Sequence, residues 1–458
     1  MRRPTLAGGL LIAPSVALAH TSDRAIILTL PTRGFIWGAG VVVAVTALVA
    51  GLGVRLPQIE GRSLFSRPRL LPVGVTNWLA TGLLFLLIVT GFAGTHDPDE
   101  NPLPLMIWTV LWVGLTLVQA VVGNLWRDID PWTGPVRAMR AGLGLQGSAG
   151  LRRLGHWPAV VGYLGFAWFE IVSVAPADPQ RLAMVVTVYW LLILVLATLE
   201  GEDWLAQGEF LTMFFALVAR MAPVWAHYAP RRVDVWAGLP GAQVPGLPPL
   251  DRSAIAFVTL ALASVSFDGL HETFRWVAAL GLNPLDYPGR SVVMCANTLG
   301  LLAMWAGMTV LILAATRLHL AGIAPGRTRG AAMGRMCLSF LPIAVGYHVA
   351  HYLTALLTQG QYAVAALSDP LGRGDDLLGL GPNWVGFGFL SKPDAVWAIW
   401  IAQFAIILGA HLVAVILADC IGRADGMRPT LVHQIPLSLL MVLYTCFGLW
   451  LLATPSIG

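Results

Sequence analysis

Apolar runs of roughly twenty residues, the helical length that crosses the hydrocarbon core of a bilayer, return from one end of this chain to the other. No other feature constrains the fold as much. In lipid the backbone must satisfy its own hydrogen bonds, which leaves helices or closed barrels. Strand-like alternation is missing, so the sequence reads as an all-α integral membrane protein. Composition agrees. The 458 residues are 57% hydrophobic and only 11% charged, where a soluble domain carries about 25% charged residues.

Residues 1–19 read as a secretory signal peptide. Arg2 and Arg3 open it, an apolar stretch follows, and Ala17-Leu18-Ala19 forms an A-x-A cleavage site. Cleavage would leave His20 as the new N-terminus. Residues 20–458 then form a single polytopic domain with about ten spans, near 34–54, 73–94, 103–125, 157–175, 181–200, 251–271, 291–315, 331–358, 394–418 and 431–453. With His20 outside, the inner loops hold nineteen arginines and the outer segments hold six arginines plus Lys392. That excess of basic residues is the expected inner-face bias. The location expected is a bacterial inner membrane, multi-pass, with the N-terminus outside. Two segments break the rhythm. Residues 201–250 read as an amphipathic helix lying on the inner face, then a Pro/Gly-rich loop. Residues 359–393 read as a long glycine-rich outer loop, a lid or a plain connector.

Ionisable residues inside spans are costly and usually face a cavity or a partner. Glu170 falls in the outer half of the fourth span. Asp268, His271 and Glu272 fall at the outer end of the sixth. His348 and His351 lie in the outer half of the eighth, and His411 in the inner half of the ninth. Asp268 and His271 are three apart, as are His348 and His351, so each pair is expected on one helix face. His20 begins the chain on the same side. A mature N-terminal histidine offers an amine and a ring nitrogen together. The expected metal ligands are therefore His20, His271, His348 and His351, holding a divalent ion, copper or zinc. Glu170 and Asp268 are the candidate catalytic carboxylates. Each histidine also has a plainer reading as a hydrogen-bonding group between helices. The four cysteines form no CxxC pair and read as small apolar filler. There is no GxxxxGK[ST], HExxH or GxSxG motif. A net charge of +4 gives no reason to expect a nucleic-acid partner.

Several stretches carry a resemblance along most of the chain. They are the leader ending in "AH" followed by "LPTRGFIWGAGVVV", then "NLWRDIDPW", "WPAVVGYLGFAWFEIV", "SFDGLHETF", "PIAVGYHVAHYLTALLTQGQ" and "HQIPLSLLMVLYTCFGLWLL". In these the chain resembles the polytopic bacterial membrane proteins named fenitrothion hydrolase, or fenitrothion hydrolase component. Thr21 stands where that family has glycine after the first histidine. The resemblance implies hydrolysis of a lipophilic organophosphorus triester and a possible second membrane subunit. Beside this metal-dependent hydrolase stand other readings of the same residues. They are a copper-binding redox protein, a transporter or proton-coupled permease with the histidines and carboxylates as relay sites, and a structural subunit whose activity resides in a partner.

Overall fold

The structure, a computed structural model, describes residues 32–52, 60–68, 73–228, 232–323, 329–381, 383–427 and 430–455. The leader and His20 lie outside these residues. The chain is an all-α polytopic membrane protein. Among the described residues nine helices are long and apolar enough to span: α1 (Thr32–Gly51), α2 (Gly74–Ala93), α3 (Pro102–Val122), α6 (Pro179–Glu200), α8 (Arg252–His271), α9 (Arg290–His319), α10 (Arg329–Ser368), α11 (Pro393–Ala424) and α12 (Leu431–Ala453). Of the shorter helices, three matter for the site: α4 (Thr133–Gly142), α5 (Trp157–Ile171) and α7 (Phe210–Val218).

The fourth expected span emerges as α5, with 15 residues, or roughly 22 Å of helical rise. Short as it is, it runs the same course as α8. At one end the His156 amide donates to Ser253 Oγ at 2.9 Å. Midway Tyr163 Oη and Ser264 Oγ are 2.9 Å apart. At the far end Glu170 and Asp268 meet around one tyrosine. The two helices are therefore parallel. α8 is the central helix, with 78% of its apolar window buried, against at most 50% in the other spans. Its small residues, in "SAIAFVTLALASVSF", let neighbours approach on all sides.

The strand-free expectation needs correction at one end of the bundle. Beyond the spans, β1 (Gly61–Pro68), β2 (Val224–Tyr228) and β3 (Arg232–Gly238) form an antiparallel sheet in the order β1-β3-β2. β1 is largely exposed and carries arginine and proline, so it buries no apolar face and gives no alternating signal. This end is called the sheet end below, and the opposite one the cluster end.

Two further segments differ from expectation. The helix within 201–250, α7, enters the bundle instead of lying on a face. Phe210, Leu211, Met213, Phe214, Phe215 and Val218 are all buried, so it has no solvated side. Glu209 caps it at depth. Its carboxylate accepts from the Leu211 and Thr212 amides, the Thr212 hydroxyl and the Tyr189 hydroxyl. The long loop is shorter than its composition suggests, because α10 continues to Ser368 before the chain turns. Two aspartates then organise it. Asp369 accepts the Arg373 and Gly374 amides. Asp376 accepts the Leu380 and Gly381 amides and the Ser368 hydroxyl.

Candidate functional site

The cluster end of α5, α8 and α10 carries the densest group of ionisable side chains in the described bundle. Tyr352 Oη lies 2.8 Å from Asp268 Oδ2 and 3.1 Å from Glu170 Oε1. His351 Nε2 lies 2.8 Å from the same Asp268 oxygen. Three helices thus converge on the Tyr352 hydroxyl, and α10 meets the Asp268 carboxylate twice. Asp268 and His351 retain 15% and 21% side-chain exposure, so the group is sheltered yet within reach of the surface. Sequence spacing placed Glu170, Asp268 and His351 in this region. It missed Tyr352, which follows His351 directly. A hydroxyl within an apolar span was the available signal, because a buried tyrosine normally finds a partner.

The other histidines separate from this centre. His271 is buried and turns Nδ1–H to its own Asp268 carbonyl at 2.8 Å. A carbonyl can only accept, so Nδ1 carries a hydrogen; Nε2 faces Glu272 Oε1 at 3.5 Å, a contact that needs a hydrogen on one of the two. The i, i+3 pair is real, but its close contact is to the Asp268 backbone, and the carboxylate goes to another helix. His348 donates Nε2–H to the Trp112 carbonyl at 2.9 Å. Its ring sits among Trp112, Phe214 and Tyr352, with centroids 4.8, 5.7 and 4.8 Å away. The Trp112 carbonyl also accepts from Thr116 Oγ1 at 2.6 Å and lies in the stretch Leu105–Leu115 where α3 winds wide, in i→i+5 turns. Such widened turns expose carbonyls to side chains and recur at functional sites. His411 lies deeper. It donates Nδ1–H to Ile407 O, while its Nε2, like the Tyr347 hydroxyl, is buried without a partner among the described residues.

Arg290, at the start of α9, closes the cluster end. It donates to the Glu170 carbonyl at 2.7 Å and approaches Glu272 at 3.9 Å. In the sequence Arg290 is simply one of the six arginines of the outer segments.

Among the described residues no three His, Cys, Asp or Glu side chains converge closely enough to hold a metal ion. His271, His348 and His351 each face a different partner, and the fourth expected ligand, His20, lies outside the described residues. Compared with known proteins, the chain matches no family model, no curated protein and no solved structure.

The arrangement suits proton exchange. Tyr352 has one hydroxyl hydrogen and two carboxyl neighbours. If it donates to Asp268, the Glu170 contact is satisfied when Glu170 brings a hydrogen of its own. The motif "NLWRDIDPW", by contrast, is architectural. Asp130 caps α4 through the Trp132 and Thr133 amides and accepts from Asn77 of α2. Trp132 Nε1 donates to the Trp190 carbonyl.

Proposed function

We propose that this is a proton-coupled membrane protein, in which Glu170, Tyr352, Asp268 and His351 form a relay that takes up and releases a proton. One observation carries the reading, the single hydroxyl shared between two carboxyls. A proton leaving the Glu170 carboxyl for Tyr352 Oη is matched by the Tyr352 hydrogen passing to Asp268. Asp268 then hands it to His351 Nε2, with the ring hydrogen on Nδ1. Each step breaks one O–H bond and forms one O–H or N–H bond. The basic bias of the sheet end, together with the leader, supports a bacterial inner membrane with the cluster end facing out. The test is infrared difference spectroscopy of the protein in nanodiscs during a pH step. The expected result is a carboxylic-acid carbonyl band that disappears in Glu170→Gln and shifts in Tyr352→Phe. A wild-type spectrum without such a band sinks the relay.

A second reading is the triester hydrolysis that the family resemblance implies. The observation favouring it is the Asp268–His351 pair. The carboxylate fixes one ring nitrogen and leaves Nδ1 to take a proton from water. In its metal-dependent form, with copper or zinc, this reading needs His20 as a further ligand. Release of nitrophenol from fenitrothion by wild-type protein, lost in His351→Gln, would support it. Bound metal that disappears in His20→Ala would support the metal form.

A further inference from the structure

The consecutive helices α5 and α6 diverge after their short connection. Between them lies a cavity of about 650 Å³, closed at depth by α7. We infer that this cavity holds one acyl chain of an anionic phospholipid, with the headgroup at the sheet end.

The walls specify hydrocarbon. Trp108, Trp126, Trp132, Tyr189 and Trp190 all line the space. Each has already committed its polar hydrogen, to Pro176 O, Thr212 Oγ1, Trp190 O, Glu209 Oε1 and Pro131 O respectively. An occupant therefore finds carbon and aromatic faces along most of the wall, and one buried donor left unpartnered among the described residues, Trp204 Nε1. A dry apolar space of this size beside lipid is filled by something equally apolar.

Shape points to a chain. On α6 the lining runs from Leu182 to Leu196, a separation of fourteen positions or roughly 21 Å of rise. That exceeds one leaflet of a core about 30 Å thick. On α5 the wall is cut back at Gly165. Small residues in membrane helices usually admit a second helix. Here a Cβ built on Gly165 meets nothing within 4 Å. The glycine leaves room that no protein atom takes.

Charge selects the headgroup. At the sheet end the lining includes Leu154 and Trp157, both about half exposed. Arg152 and Arg153 immediately precede them. Arg152 is drawn toward Glu200 and Asp203 at 3.8 and 3.6 Å. Arg153 is exposed and makes no ion pair among the described residues. An arginine beside a tryptophan at the level of the headgroups favours a phosphate with net negative charge.

The experiment uses full-length protein reconstituted in nanodiscs of mixed phosphatidylglycerol and phosphatidylcholine, released into mild detergent for native mass spectrometry. The expected result is one retained phosphatidylglycerol per chain. Gly165→Leu, which fills the space and favours helix, should lose it while keeping the wild-type circular dichroism. Val185→Trp, filling from the α6 side, should do the same and serves if Gly165→Leu misfolds. Arg153→Gln should keep a lipid but lose the preference for phosphatidylglycerol. Unchanged retention in the filled variants would overturn the cavity assignment. Equal retention of the two lipids by wild type would overturn the headgroup. This inference does not depend on the proton relay.

Discussion

His351 Nε2 and Asp268 Oδ2 are 2.8 Å apart, though 83 positions separate the two residues. The contact ties α10 to the central helix α8 where exposure is low, so it should carry measurable free energy. Asp268→Ala and His351→Ala should each destabilise the protein. The double variant should lose less than their sum, by about 1.5–3 kcal/mol, the usual worth of a hydrogen bond to a charged group. Denaturant unfolding in mixed micelles gives the three values, and strict additivity would show that the pair is uncoupled.

Glu209 and Glu202 offer a contrast between a fully buried carboxylate and a half-buried one. Glu209 is fully buried and accepts from four donors at the start of α7. Glu209→Ala should cost about 1–3 kcal/mol, because it strands buried donors. Glu202 pairs with Arg137, whose side chain is 53% exposed. Glu202→Ala should cost about 0–1 kcal/mol. Thermal unfolding of the two variants side by side checks the order, and equal losses would contradict it.

Gly346 marks the closest approach of α10 to α11. A Cβ there would lie 2.4 Å from Ala410 Cβ, so the helices must part. Gly346→Ala should destabilise by about 1–3 kcal/mol, as overpacking does, and disturb His348 two residues on. Gly307 in α9 is the control, since nothing lies within 4 Å of an added Cβ. Gly307→Ala should be neutral or stabilising by about 0.4–1 kcal/mol. Melting temperatures that move the same way in both variants would refute the packing argument.

The loop after α10 should depend on pH through Asp376. The Gly381 amide, then the Ser368 hydroxyl and Leu380 amide, hold its carboxyl below the ordinary carboxylate range. A depressed folded value means that the stabilising effect is fully present above the unfolded value, about 3.9. It is lost as pH falls through the lower folded value. Pepsin should therefore begin to cut residues 369–381 only at the acid end of its range. In Asp376→Asn cutting should start at higher pH. Identical profiles for the two proteins would remove Asp376 from the account.

Much of the bundle was legible because bilayer length and burial cost act on each segment separately. Spans such as 34–54 and 431–453 appear as α1 and α12 within a few residues. Positions of intramembrane carboxylates and histidines were legible for the same reason, since each is expensive wherever it sits. β1 was not legible, because an exposed strand leaves no apolar alternation. α7 was not, because its length suits both a surface helix and a buried one, and only its surroundings choose. The i, i+3 rule put His348 and His351 on one helix face but could not give their partners, which are the Trp112 carbonyl and Asp268.

The sequence by itself determined that this chain crosses a membrane many times and that Glu170, Asp268 and His351 lie toward one end. Those follow from local terms: the length of apolar runs and the cost of a charge in hydrocarbon. Only the tertiary structure decided that Tyr352 stands between two carboxyls, that His271 turns away from them, and that α5 and α6 part around a cavity. These depend on which helices become neighbours. That choice is made by packing small residues against α8 across the whole chain, and no single stretch encodes it.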